Sequence, residues 1–272
     1  MNNTKKNRIS EAAVGILLLA AFALTLTGYI TNRYYLNGLG MIREAVSAAA
    51  ALMFIIGKFR TPPWNRITGA MFIIAAAVTA ITFVKALKTL ISTGFAIFRY
   101  APLMMTVSLI HSICFIAGGF ICAFIYLGVI HPKNRLLYTV LLYILIIISA
   151  AFQTLNRSGL YTDMIIVFGL CFAPESSDTP TKRGRTGRAG IWIFCIMSVI
   201  LFFSSIYVSM LEFTAIHYES DDSPYEQAVT AVLVLTAVLY AGLLLSPLSL
   251  GDKRFGSNND HDENKSRKEE LS

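Results

Sequence analysis

The chain has 272 residues, of which 55% are hydrophobic and only 14% are charged, whereas a typical soluble domain carries about 25% charged residues. So little charge cannot cover the surface of a soluble globule, and the composition excludes an ordinary soluble domain. The net charge of +7 does not indicate a nucleic-acid partner, because the basic residues outside the tails lie in short stretches between long apolar runs. The sequence therefore predicts an all-α integral membrane protein whose main partner is the lipid bilayer.

Long apolar runs, taken in chain order, predict about eight transmembrane helices. Such a helix needs roughly 20 mostly apolar residues, because each residue adds about 1.5 Å towards a hydrocarbon core about 30 Å thick. The runs of sufficient length are 9–31, 39–57, 68–91, 101–130, 136–155, 190–211 and 227–248, and a shorter run covers 159–173. The first run follows basic residues as a signal peptide does, but it exceeds the roughly 7–15 apolar residues of a signal core. We therefore expect it to be retained as a span.

The distribution of Lys and Arg between the loops predicts the orientation. If 159–173 is a span, one side holds twelve basic residues: Lys5, Lys6, Arg8, Lys58, Arg60, Arg66, Lys133, Arg135, Lys182, Arg183, Arg185 and Arg188. The opposite loops hold Arg33, Arg99 and Arg157 with the acidic residues Glu219, Asp221, Asp222 and Glu226. Excess Lys and Arg marks the cytoplasmic side. The pattern favours eight spans in the cell membrane with both termini cytoplasmic, because a re-entrant 159–173 would place 182–188 outside.

Ordered short matches raise the hypothesis of an internal repeat relating two four-helix halves, 9–130 and 131–250. Asn32-Arg33 matches Asn156-Arg157, Thr61-Pro62 matches Thr179-Pro180, FAIFRY (95–100) matches FTAIHY (213–218), and Tyr126-x-Gly128 matches Tyr240-x-Gly242. Short matches also arise by chance, so the sequence leaves the repeat open. Halves of four spans each would be related by an axis along the membrane normal, as in many transporters. Outside them, 1–8 is predicted to be a cytoplasmic tail and 251–272 a disordered cytoplasmic tail.

Charged side chains near the outer ends of three predicted spans are candidates for a solute pathway. Span three carries Thr79, Thr82, Lys85, Thr89 and Ser92 at helical spacing beside Lys88, span seven carries Ser198, Ser205, Ser209 and Glu212, and Arg43, Glu44 and Ser47 open span two. One interpretation is an outward-facing vestibule in which Lys85, Glu44 and Glu212 approach each other and form an opposite-charge contact. The alternative is that the lysines extend to the headgroups while Ser and Thr serve helix packing.

His111 is the one ionisable side chain predicted near the middle of the membrane, apart from the cysteines. A proton relay is one interpretation, because imidazole titrates near neutrality. A neutral histidine hydrogen-bonded to a nearby serine or carbonyl is the more common role. Haem ligation is disfavoured because no second intramembrane histidine exists. The cysteines at 114, 122, 171 and 195 lie in apolar runs, so they indicate neither a disulfide framework nor a zinc site.

Common enzyme signatures are absent from the sequence. It has no H-E-x-x-H, no G-x-S-x-G and no P-loop. The segment 179–190 has three glycines at steps of three but no preceding strand, so we interpret it as a basic loop that touches anionic lipid headgroups. We therefore expect no cofactor, no metal and no enzyme activity.

Three functions fit these observations. The first is a small transporter or permease subunit that moves a polar or ionic solute through a vestibule open to the outside. The second is a non-catalytic accessory or sensor subunit of a membrane complex. The third is a membrane-embedded enzyme acting on lipid. Without a large soluble domain the chain cannot hydrolyse ATP itself, so pumping would require a partner ATPase or an ion gradient.

Overall fold

The computed structural model describes residues 3–32, 38–59, 61–96, 101–130, 135–156, 164–172, 182–218 and 223–250. The regular structure in these ranges is entirely helical: α1 (Asn3–Asn32), α2 (Gly38–Ile56), α3 (Trp64–Ser92), α4 (Pro102–Tyr126), α5 (Arg135–Asn156), α6 (Met164–Cys171), α7 (Lys182–Tyr218), α8 (Ser223–Leu245) and a 3-10 turn (Ser246–Ser249). Six segments here are long and apolar enough to cross a membrane: Arg8–Thr27, Leu39–Ile56, Trp64–Ser92, Pro102–Tyr126, Arg185–Phe213 and Pro224–Ser249. The protein is therefore a multi-pass helical membrane protein.

Each predicted apolar run coincides with a helix, but the lengths differ from the prediction in three places. The apolar stretch of α5, Leu137–Phe152, is shorter than a full span. Helix α6 has only 8 residues, or about 12 Å. Helix α7 has 37 residues and starts at Lys182, so residues 182–190 are helical and not the predicted loop. Eight full-length spans are consequently not confirmed.

Aromatic side chains join several helix ends on one side of the bundle. This aromatic cluster consists of Phe54, Phe59, Tyr126, Phe168, Phe172 and Phe194. The ring of Phe59 lies 5.0 Å from that of Phe54 and 6.2 Å from that of Tyr126, between centroids. The ring of Phe168 lies 5.1 Å from that of Phe194. The ends of α2, α4 and α6 and the start of α7 therefore meet on the same side.

Exposed basic side chains surround this side of the bundle, which we call the basic end. Lys58, Arg66 and Arg185 are exposed beside the helix ends that the aromatic cluster joins. Arg8 donates a hydrogen bond to the carbonyl of Ile56 at 3.3 Å, which ties the start of α1 to the end of α2. The sequence predicted that these basic residues share one side of the membrane, and in the fold they lie at the same end of the bundle.

Helix α6 is enclosed by protein. All its residues, Met164 to Cys171, are buried. The hydroxyl of Tyr126 in α4 donates to the carbonyl of Gly169 at 2.9 Å, and the hydroxyl of Tyr138 in α5 donates to that of Leu170 at 2.8 Å. Carbonyls in the last turn of a helix have no partner within the helix. The two tyrosines thus satisfy backbone groups that lipid could not.

The neighbours of α6 define its direction. A side chain at Gly118 of α4 would meet Ile166, and a side chain at Gly169 would meet Cys122 of α4. Residue numbers rise together in these two contacts, so α6 runs parallel to α4 and towards the basic end. The chain thus returns to the basic end by residue 172 after α5 has led away from it.

Removing the tyrosine caps should loosen α6. We expect Tyr126→Phe and Tyr138→Phe each to destabilise the protein by about 1–3 kcal/mol, because each leaves a buried carbonyl unsatisfied. The unfolding midpoint in a detergent titration measures the loss. Tyr143→Phe, on the same helix as Tyr138 but with a partly exposed side chain, is the control, and an equal loss in the control would contradict this role of the caps.

The internal repeat is not confirmed. Helix α2 has 19 residues, whereas α6, its counterpart in a repeat, has 8. The matched glycines also differ, because Gly128 follows α4 in the left-handed conformation (φ 74°) and Gly242 lies inside α8 against α7. The repeat stays a prediction. The loop residues Arg33, Arg99 and Arg157, the acidic residues 219–222 and the tail 251–272 lie outside the described ranges.

Candidate functional site

A buried ion pair lies near the start of α2, in the half of the bundle away from the basic end. Arg43 donates from Nη2 to Oε1 of Glu44 at 2.7 Å, and the two side chains are 28% and 4% exposed. The guanidinium carbon of Arg43 lies 5.7 Å from the ring centroid of Phe115 in α4, within range of a cation–π contact. The two charges therefore compensate each other in an apolar setting.

His111 of α4 lies near the same aromatic ring. Its imidazole is buried and stacks on the ring of Phe152, with centroids 4.1 Å apart and planes 4° apart. Its centroid lies 6.2 Å from that of Phe115. Phe115 therefore lies against both Arg43 and His111. We call Arg43, Glu44, Phe115 and His111 the polar centre.

The composition of the polar centre determines what it can do chemically. It combines a fixed positive charge, a carboxylate and an imidazole, and the last two can gain or lose a proton. Aromatic rings lie against both the imidazole and the guanidinium group. The arrangement can bind an ionic group or exchange protons.

The other charged candidates are not brought into this centre. Lys85, Lys88 and Glu212 are all exposed, and none forms an ion pair with another residue that the structure describes. The predicted opposite-charge contact of Lys85 with Glu44 is not formed, because Glu44 pairs with its own neighbour on α2. The side chain of Lys85 faces outward while Thr79, two turns earlier on α3, is buried. The polar stripe of α3 therefore does not line one interior face.

The Ser and Thr hydroxyls of the predicted stripes bond within their own helices. Thr79 donates to the carbonyl of Ala75 at 2.8 Å, and Ser198 of α7 donates to that of Phe194 at 2.8 Å. A hydroxyl that bonds to the preceding turn needs no polar neighbour on another helix. These residues therefore carry little evidence for a water-filled path.

Exposure of both lysines leads to a prediction. We expect Lys85→Met and Lys88→Met to change stability by less than about 0.5 kcal/mol each, because neither removes an interaction with another buried group. The check is a comparison of their unfolding midpoints with that of the unsubstituted protein. A selective loss with Lys85→Met would instead revive the vestibule in which this lysine meets a carboxylate.

Helix packing accounts for two glycines of the segment 179–190. A side chain at Gly187 would collide with the backbone of Ser249, and one at Gly190 would come within 2.6 Å of the carbonyl oxygen of Gly242. Small residues let membrane helices approach closely. Across the described ranges no group of three or more His, Cys, Asp or Glu is placed to hold a metal ion.

Two aromatic residues, Phe115 in the polar centre and Phe152 against its imidazole, were not anticipated from the sequence. Phe115 follows His111 by four residues, so their common helix face was visible in the spacing. Phe152 comes from a different helix, and nothing in the sequence indicates that it stacks on His111.

Comparison with known proteins adds no family. No protein-family model, no curated protein and no solved structure matches the chain. The fold and the polar centre alone define its class: a multi-pass helical membrane protein with a charged pair and an imidazole in the half of the bundle away from the basic end.

Proposed function

We propose that the protein is a small transporter or permease subunit that moves a polar or ionic solute, with the polar centre on the solute pathway. The observation that carries this proposal is the Arg43–Glu44 pair, in which Glu44 is only 3% exposed. Charged residues inside membrane helices are costly, and they commonly mark solute or ion pathways. Lys85, Lys88 and Glu212 are exposed and lie outside the polar centre, so their part in a solute pathway stays a prediction.

The short helix α6 supports the proposal from the backbone. Transporters commonly build their sites from discontinuous helices inside the bundle. Helix α6 fits such a role, because it is short and fully buried and runs beside α4, which carries Phe115 and His111. No catalytic step is included in the proposal, and we expect the chain not to be an enzyme.

Solute flux into proteoliposomes tests the proposal. The panel consists of radiolabelled lactate, choline, alanine and glycerol, which represent an anion, a cation, a zwitterion and a neutral polar solute. We expect uptake of at least one class above that of empty liposomes, and a fall to the empty-liposome level in Glu44→Gln. Glu212→Gln is the matched control, since this carboxylate is exposed, and it should retain uptake. Equal uptake by Glu44→Gln and the control would remove the polar centre from the pathway.

A non-catalytic accessory subunit is the second candidate, and the outer half of α7 favours it. An apolar groove of about 460 Å³ is lined by Phe202, Ser205, Ile206, Ser209, Met210 and Phe213, and Tyr207 beside it is 57% exposed. A helix of another membrane subunit, such as the membrane part of an ATPase complex, would fit against this face. Photo-crosslinking from position 207 in cells distinguishes the candidates, because an accessory subunit should give one defined protein adduct.

The proposal includes eight crossings of the cell membrane with both termini in the cytoplasm. The direction of α6, parallel to α4, supports it, because the chain returns to the basic end before α7 begins. We expect a membrane-impermeant thiol reagent to label Ser223→Cys in intact cells and to leave Ser177→Cys unlabelled. Labelling of position 177 alone would show that the segment before it does not cross.

A further inference from the structure

Arg8 is held in a fixed position at the basic end. Its Nη2 donates to the carbonyl of Ile56 at the end of α2, at 3.3 Å, and a Cβ at Gly57 would lie 2.9 Å from its Nε. Gly57 has φ 70°, a conformation in which a residue without a side chain is favoured. The side chain of Arg8 is nevertheless exposed. A guanidinium group has five N–H donors, so most of them remain available to a ligand.

Lys58 places a second positive charge beside Arg8. It follows the glycine against which Arg8 packs, so its Cα lies about 3.8 Å from that of the glycine, and its side chain is exposed. Glu11, the nearest acidic residue along α1, is only 5% exposed, and no Asp or Glu occurs between Glu44 and Asp163. Within the described ranges, neither Arg8 nor Lys58 forms an ion pair with a carboxylate.

An apolar strip begins directly below these two cations. Gly15 of α1 packs against α2, where its Cβ would lie 2.7 Å from the carbonyl oxygen of Ala51. The two helices run in opposite directions, because the start of one meets the end of the other. A turn of about 100° per residue therefore brings the next positions, Ile16 and Leu52, to the same side of this contact, and repeats of seven and four residues add one further residue from each helix. The side chains on this side are 42–59% exposed and belong to Ile9, Ile16, Leu52 and Ile56.

We propose that Arg8 and Lys58 bind the phosphodiester group of an anionic phospholipid whose acyl chains lie along this strip. Arginine can donate two parallel hydrogen bonds to phosphate oxygens, and lysine adds a point charge. Basic residues at the ends of membrane helices hold anionic headgroups in this way. The strip favours a lipid over a water-soluble phosphate, because only a lipid matches both the charges and the apolar side chains below them. The site lies at the end of the bundle away from the polar centre, so it is separate from the proposed solute pathway.

Native mass spectrometry of the purified, full-length protein in detergent tests this lipid site. Dioleoylphosphatidylglycerol carries a net negative charge, whereas dioleoylphosphatidylcholine has the same phosphodiester and acyl chains but no net charge. We expect the protein to retain the anionic lipid preferentially. Arg8→Gln and Lys58→Gln should each weaken its binding about fivefold, because each removes one cation from the headgroup region. Arg185→Gln is the matched control, since it removes an exposed basic residue of the same end on α7, and it should bind the lipid as the unsubstituted protein does.

Two further probes separate a lipid from a free phosphate. Glycerol 3-phosphate, which lacks acyl chains, should not displace the bound lipid, and dihexanoylphosphatidylglycerol should displace it less effectively than the dioleoyl lipid does. Displacement by glycerol 3-phosphate as effective as that by the dioleoyl lipid would overturn the assignment to a lipid. Equal retention of the two dioleoyl lipids, or equal weakening by Arg185→Gln and Lys58→Gln, would overturn the site itself. If Arg8→Gln does not fold, Lys58→Gln decides, since the side chain of Lys58 is exposed.

Discussion

Replacing Arg43 by methionine should destabilise the folded protein by about 3 kcal/mol, because it leaves the buried carboxylate of Glu44 without its partner. We take the lower end of the range for broken buried pairs, since the side chain of Arg43 is 28% exposed. Methionine keeps a similar length and apolar contact with Phe115, so the loss reports charge more than packing. Fluorescence of Trp64 and Trp192 during a detergent unfolding titration measures it.

A double variant is the control for this experiment. Arg43→Met with Glu44→Leu removes both charges and should recover most of the lost stability, because an apolar pair can replace a buried ion pair at little cost. A single variant as stable as the unsubstituted protein at neutral pH would show that the pair does not hold Glu44 in place.

The helices could be predicted from the sequence because a membrane leaves few alternatives. Apolar runs without turn residues must satisfy their backbone internally, so each predicted run coincides with a helix. Helix ends were less predictable. The segment 182–190 contains three glycines and four basic residues, which resemble a loop, yet Gly187 and Gly190 are the residues that let α7 pack against the end of α8. Only the partner helix reveals this role.

Helix α6 shows why a run of suitable composition is not always a full span. The segment 159–173 was predicted to cross because it is an apolar run, although a short one, and because the distribution of Lys and Arg favours a crossing there. In the structure its helix has 8 residues. The hydroxyls of Tyr126 and Tyr138 donate to the carbonyls of Gly169 and Leu170 in its last turn. These two hydrogen bonds join residues that are 43 and 32 positions apart in the sequence. Contacts at such separations cannot be inferred from a local sequence pattern.

The candidate pathway residues stay a prediction, although the structure shows how they are arranged. Arg43, Glu44 and His111 lie around Phe115, whereas Lys85, Lys88 and Glu212 do not. Helical spacing tells which residues share a face of their own helix, but the orientation of that face depends on packing with other helices. In α3 the Thr hydroxyls donate to carbonyls of the preceding turn. These side chains therefore do not need polar neighbours inside the bundle and do little to set which face of α3 points inward. In α2 the buried carboxylate of Glu44 requires a nearby counter-charge, and this requirement does constrain how the helix packs.

Enlarging Gly190 should have the other large effect on stability. We expect Gly190→Leu to cost about 3 kcal/mol, the upper end for overpacking, because its Cβ would lie 2.6 Å from the carbonyl oxygen of Gly242. That atom belongs to the backbone of α8, so no change of side-chain rotamer relieves the clash. Helices α7 and α8 must then separate or shift.

The neighbouring residue provides a matched control for Gly190. Ala189→Leu adds nearly the same bulk one position earlier on α7, where the side chain is exposed, and should leave the unfolding midpoint almost unchanged. Gly242→Leu should resemble Gly190→Leu, since its Cβ would lie 2.7 Å from the side chain of Ile193 and 3.0 Å from the carbonyl oxygen of Gly190. Because each substitution alone already forces α7 and α8 apart, the loss in the double variant should be clearly less than the sum of the single losses. Additive losses, or equal losses at positions 189 and 190, would mean that the two glycines do not mark a shared helix crossing.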